Sequence, residues 1–178
     1  MKRNNFLKSI TGISAAMIAA PQLVGKKVIS FLGNLKPKIV RADEGKALNV
    51  LGDMQTIKLT GKDTNGQFTL IEEENIPGTA IPLHVHDNED EVFKVLDGEM
   101  ELTVGETTTI LKAGDIGFGP RGVPHTWKIV GDKKAKVILS VFPSGIETMF
   151  EELNDMPAGP PNFEEVARIC GNYGIRFL

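Results

Sequence analysis

The sequence is poor in cysteine, in histidine and in aromatic side chains other than phenylalanine. A single cysteine among 178 residues excludes a disulfide framework and a zinc knuckle built from cysteines. A formal net charge of −3 argues against a general nucleic-acid binder. Hydrophobic residues at 41% and charged residues at 24% are typical of a globular chain, and the length fits one domain with an appendage.

Acidic residues are absent from residues 1–42, which hold eight lysines and arginines. All 23 acidic residues therefore lie in the remainder, so a basic arm precedes an acidic body. Within the arm, residues 9–25 carry no charge, and their apolar part is shorter than a membrane-spanning helix requires. A positive start followed by a short apolar stretch predicts an export signal and a periplasmic location.

The start of the arm resembles the twin-arginine export signal, although the match is partial. Arg3 and the run Phe6-Leu7-Lys8 fit the pattern, whereas Asn4 stands where the second arginine is expected. Two alternatives stay open. The chain is exported by ordinary secretion, or the arm is uncleaved and amphipathic and makes the only membrane contact of the protein.

The body over residues 43–145 alternates apolar and polar residues with the period of half-buried strands. Asp97-Gly98 and Gly105-Glu106 predict tight hairpin turns between such strands. Residues 72–74, all glutamates, are expected to be a strand end at the surface. About eight short strands with frequent turns predict an all-β sandwich or small barrel.

Helices are predicted only in the tail, over residues 146–178. Ser144 begins a capping-box pattern that opens a short helix through Leu153. Asn162 repeats the pattern before a second helix, whose apolar positions follow helical spacing up to a stop near Gly174. We therefore expect the tail to pack one helix face on the barrel.

The three histidines of the chain all fall near predicted strands. His84 and His86 are two residues apart, so on a strand both rings point to one face. Glu91 begins the next predicted strand, and His125 lies in another. Three imidazoles and one carboxylate that converge inside a barrel suit a divalent first-row transition metal.

Two spaced patterns around these residues resemble the two motifs of the cupin family. They are Gly78-x5-His84-x-His86-x4-Glu91-x6-Gly98 and Gly114-x5-Pro120-x-Gly122-x2-His125. The one departure is Ile129, which stands where the second motif often has asparagine. The resemblance implies a double-stranded β-helix barrel, also called a jelly roll. It also implies one bound divalent metal (iron, manganese, nickel, cobalt or zinc) with four ligands: His84, His86, Glu91 and His125.

Within the cupins, residues 91–99 and 172–178 are similar to small bacterial quercetin-dioxygenase-like proteins. That similarity implies a metal-dependent dioxygenase that opens an oxygenated ring of a small organic substrate, with dioxygen as the second reactant. Glu91 is then the expected catalytic base for a substrate hydroxyl. Strand alternation predicts four side chains in the substrate pocket, with barrel core as the alternative for each: Phe93, Trp127, Phe118 and Met100.

Other interpretations of the same residues stay open. The protein could be a non-catalytic cupin that binds a metal or small ligand, with its tail closing the barrel mouth. It could also be a sugar isomerase or epimerase that uses the metal as a Lewis acid, which the apolar inward positions disfavour. Glu89 and its acidic neighbours are expected to form a solvated rim. Pairing of edge strands between chains would give a homodimer.

Overall fold

The computed structural model describes residues 35–157 and 159–178, which form strands β1–β11 and helices α1–α3. The first strands are β1 (Lys46–Val50), β2 (Asp53–Leu59), β3 (Thr69–Asn75), β4 (Ala80–His86), β5 (Asp90–Asp97) and β6 (Glu99–Val104). The others are β7 (Thr107–Lys112), β8 (Ile116–Gly119), β9 (His125–Val130), β10 (Ala135–Phe142) and β11 (Ile175–Phe177). The helices are α1 (Gly61–Thr64), α2 (Ile146–Asn154) and α3 (Phe163–Asn172).

The strands form two antiparallel sheets. One sheet has the order β1-β2-β3-β10-β5-β8, and the other has the order β11-β4-β9-β6-β7. Strands distant in sequence are neighbours in both sheets, as with β10 between β3 and β5, so the chain passes back and forth between them. The predicted all-β double-stranded β-helix with a short helical tail is confirmed. The predicted export signal lies almost entirely outside the described residues.

The core follows from the alternation along the strands. In β10, Val137, Leu139 and Val141 are buried while the residues between them are half-buried. On the neighbouring β5, Phe93 and Val95 are fully buried and face the same interior. Each such side chain contributes roughly 1.5–3 kcal/mol through its removal from water.

The two predicted hairpin turns have different outcomes. Gly105-Glu106 joins β6 and β7, which pair in one sheet, as predicted. Asp97-Gly98 instead joins β5 to β6, which belong to different sheets, so the hairpin prediction there is wrong. Gly98 has φ +76°, and a Cβ on it would lie 2.6 Å from the carbonyl oxygen of Lys134. Glycine is therefore required at this crossing between the sheets.

The tail differs from its prediction at both ends. Helix α2 begins after Gly145 rather than after Ser144, and it has no side-chain cap. Helix α3 begins as predicted, because the Asn162 side chain accepts hydrogen bonds from two backbone amides of the first turn. The chain then forms β11, an unpredicted strand that pairs with β4. Among the described residues, no helix has the length and apolar character needed to cross a membrane.

Candidate metal centre and its cavity

The four residues singled out by their spacing come together between the two sheets. His84 and His86 end β4, and His125 begins β9, where the strand register pairs it with His84. Glu91 lies on β5 of the opposite sheet. One ligand atom from each of the four lies within 4.8 Å of the others, and all four side chains are buried.

Each imidazole is held by a hydrogen bond from its Nδ1 atom. His84 Nδ1 donates to the Pro82 carbonyl at 2.8 Å, and His125 Nδ1 donates to the Val123 carbonyl at 3.0 Å. Carbonyl oxygens only accept, so the proton in these two rings is on Nδ1. The Nε2 atoms of these two rings are thereby oriented as ligands, the arrangement usual for histidines that bind metals.

Glu91 faces the ligand nitrogens. Its Oε2 lies 3.0 Å from His125 Nε2, and its Oε1 lies 3.7 Å from His86 Nε2. Burial raises the pKa of Glu91, but the hydrogen bond with His125 and the neighbouring imidazoles lower it by more, so the net pKa is below its usual value. Burial lowers the pKa of His84 to about 4, which leaves that ring neutral near pH 7. Burial lowers the pKa of His125, but the hydrogen bond with Glu91 and its charge raise it by more, so the net pKa is above its usual value. A divalent metal would displace the proton that lies between His125 Nε2 and Glu91, because neutral imidazoles and an ionised carboxylate are the forms that bind it.

Glu89 was expected on a solvated rim, and that expectation is wrong. Its side chain is buried, with the residue 8% exposed, and Oε2 lies 3.3 Å from His86 Nδ1. Glu89 therefore orients the third imidazole as the backbone carbonyls orient the other two. The sequence holds only a weak signal for this role, a second carboxylate three residues after a ligand.

Two contacts fix the loop that precedes His125. The Arg121 guanidinium makes a two-pronged ion pair with Asp90, at 3.0 and 2.8 Å, and holds the pKa of that carboxyl at about 2. The Gly122 amide donates to the carbonyl of His86 at 2.8 Å. The loop of the second motif is thus attached to the strand ends that carry the other ligands.

Strand β11 supports the ligand strand from its outer edge. Its register places Ile175 opposite His86 and Phe177 opposite His84. The Asp87 amide adds a hydrogen bond of 2.8 Å to the Gly174 carbonyl. The last residues of the chain therefore fix the backbone that carries two of the four candidate ligands.

The site opens into a cavity of about 590 Å³ whose walls are mostly apolar. His84, His86 and Glu91 line one part of it, and Trp127 lines the wall beside them. Helices α2 and α3 line the cavity with aliphatic and aromatic side chains, among them Met149, Phe150, Val166 and Cys170. Burial raises the pKa of the Cys170 thiol to about 11, so it is an inert part of this wall.

Of the four predicted pocket residues, Trp127 alone lines this cavity. Phe93 and Met100 are fully buried core residues, and the Phe93 ring packs against His125 with a centroid separation of 6.4 Å. Phe118 is 55% exposed, so its predicted inward position is wrong. The inward positions of β8 are the glycines on either side of Phe118, where Leu102 and the His125 ring occupy the space of a side chain.

Residues 72–142 match the family model of the cupin domain. These residues therefore form a cupin domain. This cupin is 32% identical over 93 residues to quercetin 2,3-dioxygenase from Bacillus subtilis, a match that covers 52% of the cupin and 28% of the relative. It is also 32% identical over 119 residues to germin-like protein subfamily 2 member 2 of Arabidopsis thaliana, a match that covers 64% and 52% of the two chains.

The solved structure of KdgF from Halomonas has the same fold. It superimposes with a TM-score of 0.57 at 17% identity and covers 64% of the cupin and 99% of that chain. Such a likeness shows the fold alone. The cupin spans about half or less of the length of the two curated relatives.

A second group of buried polar side chains lies in the cavity wall of the cupin, on β2 and β3. We call Asp53, Gln55, Glu73 and Asn75 the polar tetrad, and the first three of these line the cavity. The expectation that residues 72–74 lie at the surface is wrong for Glu73, which is 2% exposed. Its neighbours Glu72 and Glu74 form ion pairs with lysines nearer the surface.

Proposed function

We propose that this cupin is a metal-dependent dioxygenase of the quercetinase type that acts on a small oxygenated aromatic substrate. The observation that carries the proposal is the position of the His84, His86, Glu91 and His125 cluster, which opens into a mostly apolar cavity. Such a cavity favours a flat organic ring over a sugar, which requires many hydrogen-bond partners. The partial match to quercetin 2,3-dioxygenase supports the same substrate class.

A bound divalent transition metal would supply Lewis-acid and redox chemistry at the Nε2 atoms. The residues of the chain perform the remaining tasks. Glu91 accepts the proton of the substrate hydroxyl through a carboxylate oxygen, since it is the carboxylate that faces the ligand nitrogens. Trp127 and the residues of α2 and α3 hold the ring and exclude water from the cavity.

The test combines elemental analysis with oxygen uptake. Protein purified without chelator or added metal should contain about one equivalent of iron, manganese, nickel, cobalt or zinc per chain. Oxygen uptake and ring opening are then measured with flavonols and with diketones. Activity that survives in Glu91→Gln at unchanged metal content would contradict the role of Glu91 as base. Absence of bound metal after reconstitution would contradict the whole proposal.

A second candidate is a cupin that binds a metal and a small ligand without turnover. The observation that favours it is that side chains of α2 and α3, the helices of the tail, line the cavity. Anaerobic titration separates the two functions. Tight binding of flavonols with no oxygen uptake on addition of air would support binding alone, whereas uptake coupled to ring opening would support the dioxygenase.

We also propose that the cupin is exported to the periplasm. The basic arm with its short apolar part supports this location. Cell fractionation of the full chain should find it outside the cytoplasm, and replacement of Lys2 and Arg3 by glutamine should retain it inside. A cytoplasmic full chain would contradict export.

A further inference from the structure

The polar tetrad is formed by the register of β2 and β3. Gln55 lies directly opposite Glu73 across these strands. Asp53 lies two residues before Gln55 on β2, and Asn75 lies two residues after Glu73 on β3. All four side chains therefore share the inward face. The arrangement places two carboxyl groups in the mostly apolar interior, apart from the candidate metal ligands.

Hydrogen bonds within the fold satisfy two members of the tetrad, Asp53 and Asn75. The two Asp53 oxygens accept from Gln55 Nε2 and from Asn75 Nδ2, each at 2.6 Å. Asn75 Oδ1 accepts from the Met54 amide at 2.8 Å. Three atoms have no partner among the described residues, namely Gln55 Oε1 and both oxygens of Glu73. Buried polar atoms in native proteins almost always have partners, so three unpaired ones at a cavity wall indicate a ligand.

The environment of Glu73 indicates the chemistry of that ligand. Burial first, and then the nearby charges of Asp53 and Glu91, raise the pKa of Glu73 well above its usual value. A neutral carboxyl group offers one O–H donor and one carbonyl acceptor, and Gln55 Oε1 beside it offers a second acceptor. A hydroxyl group, which donates and accepts, matches this set. An ammonium group would have to lose its hydration in a mostly apolar cavity and is disfavoured.

The tetrad and the metal centre lie at different places along the same sheet. On β10, Val137 pairs with Glu73, whereas Val141 pairs with Glu91. Four residues of strand correspond to about 13 Å along the backbone, and the inward side chains at the two places line one cavity. We propose that Gln55 and Glu73 bind a phenolic hydroxyl at the far end of an elongated aromatic substrate whose reacting end lies at the metal centre. The assignment of the reacting end rests on the proposed function.

The test measures binding without turnover, in zinc-loaded protein under nitrogen. Trp127, the only tryptophan of the chain, lines the cavity and reports occupancy through its fluorescence. The ligands are galangin, kaempferol and quercetin, which carry no, one and two hydroxyls on the outer ring. We expect kaempferol and quercetin to bind at least about fivefold more tightly than galangin, the effect of one or two buried hydrogen bonds.

Substitutions in the tetrad test whether these residues cause the preference. Gln55→Leu and Glu73→Leu should bring the three dissociation constants together, whereas Glu73→Gln, which still donates and accepts, should keep most of the preference. Glu74→Leu is the matched control, because its side chain belongs to a surface ion pair. An equal preference in wild type and in Glu73→Leu would overturn the proposal.

A second pair of probes separates this inference from the proposed function. Calorimetry on metal-free protein compares 2-naphthol with naphthalene, neither of which needs the metal centre. Tighter binding of 2-naphthol, lost in Glu73→Leu, supports the hydroxyl site even if no flavonol is bound or oxidised. Tighter binding of 2-naphthylmethylamine than of 2-naphthol, lost in the same variant, would overturn the hydroxyl assignment. Flavonol turnover without any effect of the tetrad would overturn this inference alone.

Discussion

The two polar regions of the cavity each contain four buried polar side chains and differ in how completely those side chains are hydrogen-bonded. At the candidate metal centre, every imidazole Nδ1 has a partner and the Glu91 oxygens face the Nε2 atoms. In the polar tetrad, three oxygens lack a partner among the described residues. The first region is organised in advance for a fixed set of ligand atoms. The second retains an unfavourable arrangement that a ligand would relieve.

Removal of a candidate ligand should have the largest effect. His86→Ala deletes one Nε2 from the cluster and leaves Glu89 without its partner. We expect metal affinity to fall by more than about 100-fold, with loss of any oxygenase activity. Elemental analysis after dialysis measures the loss, with Asn88→Ala in the same turn as the control. Full metal content in His86→Ala would contradict the assignment of this ligand.

Removal of the charge that orients a ligand should have a smaller effect. Glu89→Gln weakens the contact with His86 Nδ1 but keeps all four candidate ligands. The expected change is a 10- to 100-fold lower metal affinity, as for other residues that orient metal-binding histidines. A competition titration with a chromophoric chelator measures it. Unchanged affinity would contradict the role of Glu89 in orienting His86.

Substitutions at the metal centre should lower metal affinity, whereas a substitution in the tetrad should raise the stability of the fold. Glu73→Leu removes a buried carboxyl group without partners, so the free energy of unfolding should increase by about 1–3 kcal/mol. The gain should grow as the pH rises above about 4.3, because the unfolded Glu73 then loses a proton that the folded one keeps. Denaturant unfolding at pH 5 and pH 7 measures both effects. A loss of stability at pH 7 would show that Glu73 has a partner in the fold.

Glu147 is a carboxylate outside the cavity whose oxygens are hydrogen-bonded, so it provides a comparison for Glu73. Glu147 accepts from the amides of Gly61 and Gly145, both at 2.8 Å, and from the Thr69 hydroxyl. Burial raises the pKa of Glu147, but these hydrogen bonds lower it below its usual value. The stabilisation is therefore present at neutral pH and is lost as the pH falls through the folded pKa.

Glu147→Gln should accordingly lower the free energy of unfolding by about 1 kcal/mol, a figure reduced for partial exposure to solvent. The difference from wild type should shrink at pH 3. Denaturant unfolding at the two pH values measures it. A constant difference between pH 7 and pH 3 would contradict the role of the charged form.

The sequence predicted the fold and the four clustered residues because both depend on local patterns. Alternation with period two places His84 and His86 on one face, and the motif spacing includes Glu91 and His125. Phe118 was misplaced because alternation does not tell which face of an edge strand points inward. In β8 the inward face carries glycines, since neighbouring side chains take up the space.

The tetrad was missed for a related reason. The glutamates at residues 72–74 give no pattern that identifies Glu73 as the inward one. The burial of Glu73 depends on pairing with β2 and β10, which are distant in sequence. Strand β11 was also missed, because its three residues form a strand only against the edge of β4.

The most direct test of the central claim is anomalous diffraction at the absorption edge of the metal found by elemental analysis. The account predicts one peak per chain at about 2.0–2.2 Å from the Nε2 atoms of His84, His86 and His125 and from a Glu91 oxygen. Full occupancy at that position would establish the cluster as a metal centre. A peak elsewhere, or a reconstituted crystal with no peak between these four side chains, would contradict the account.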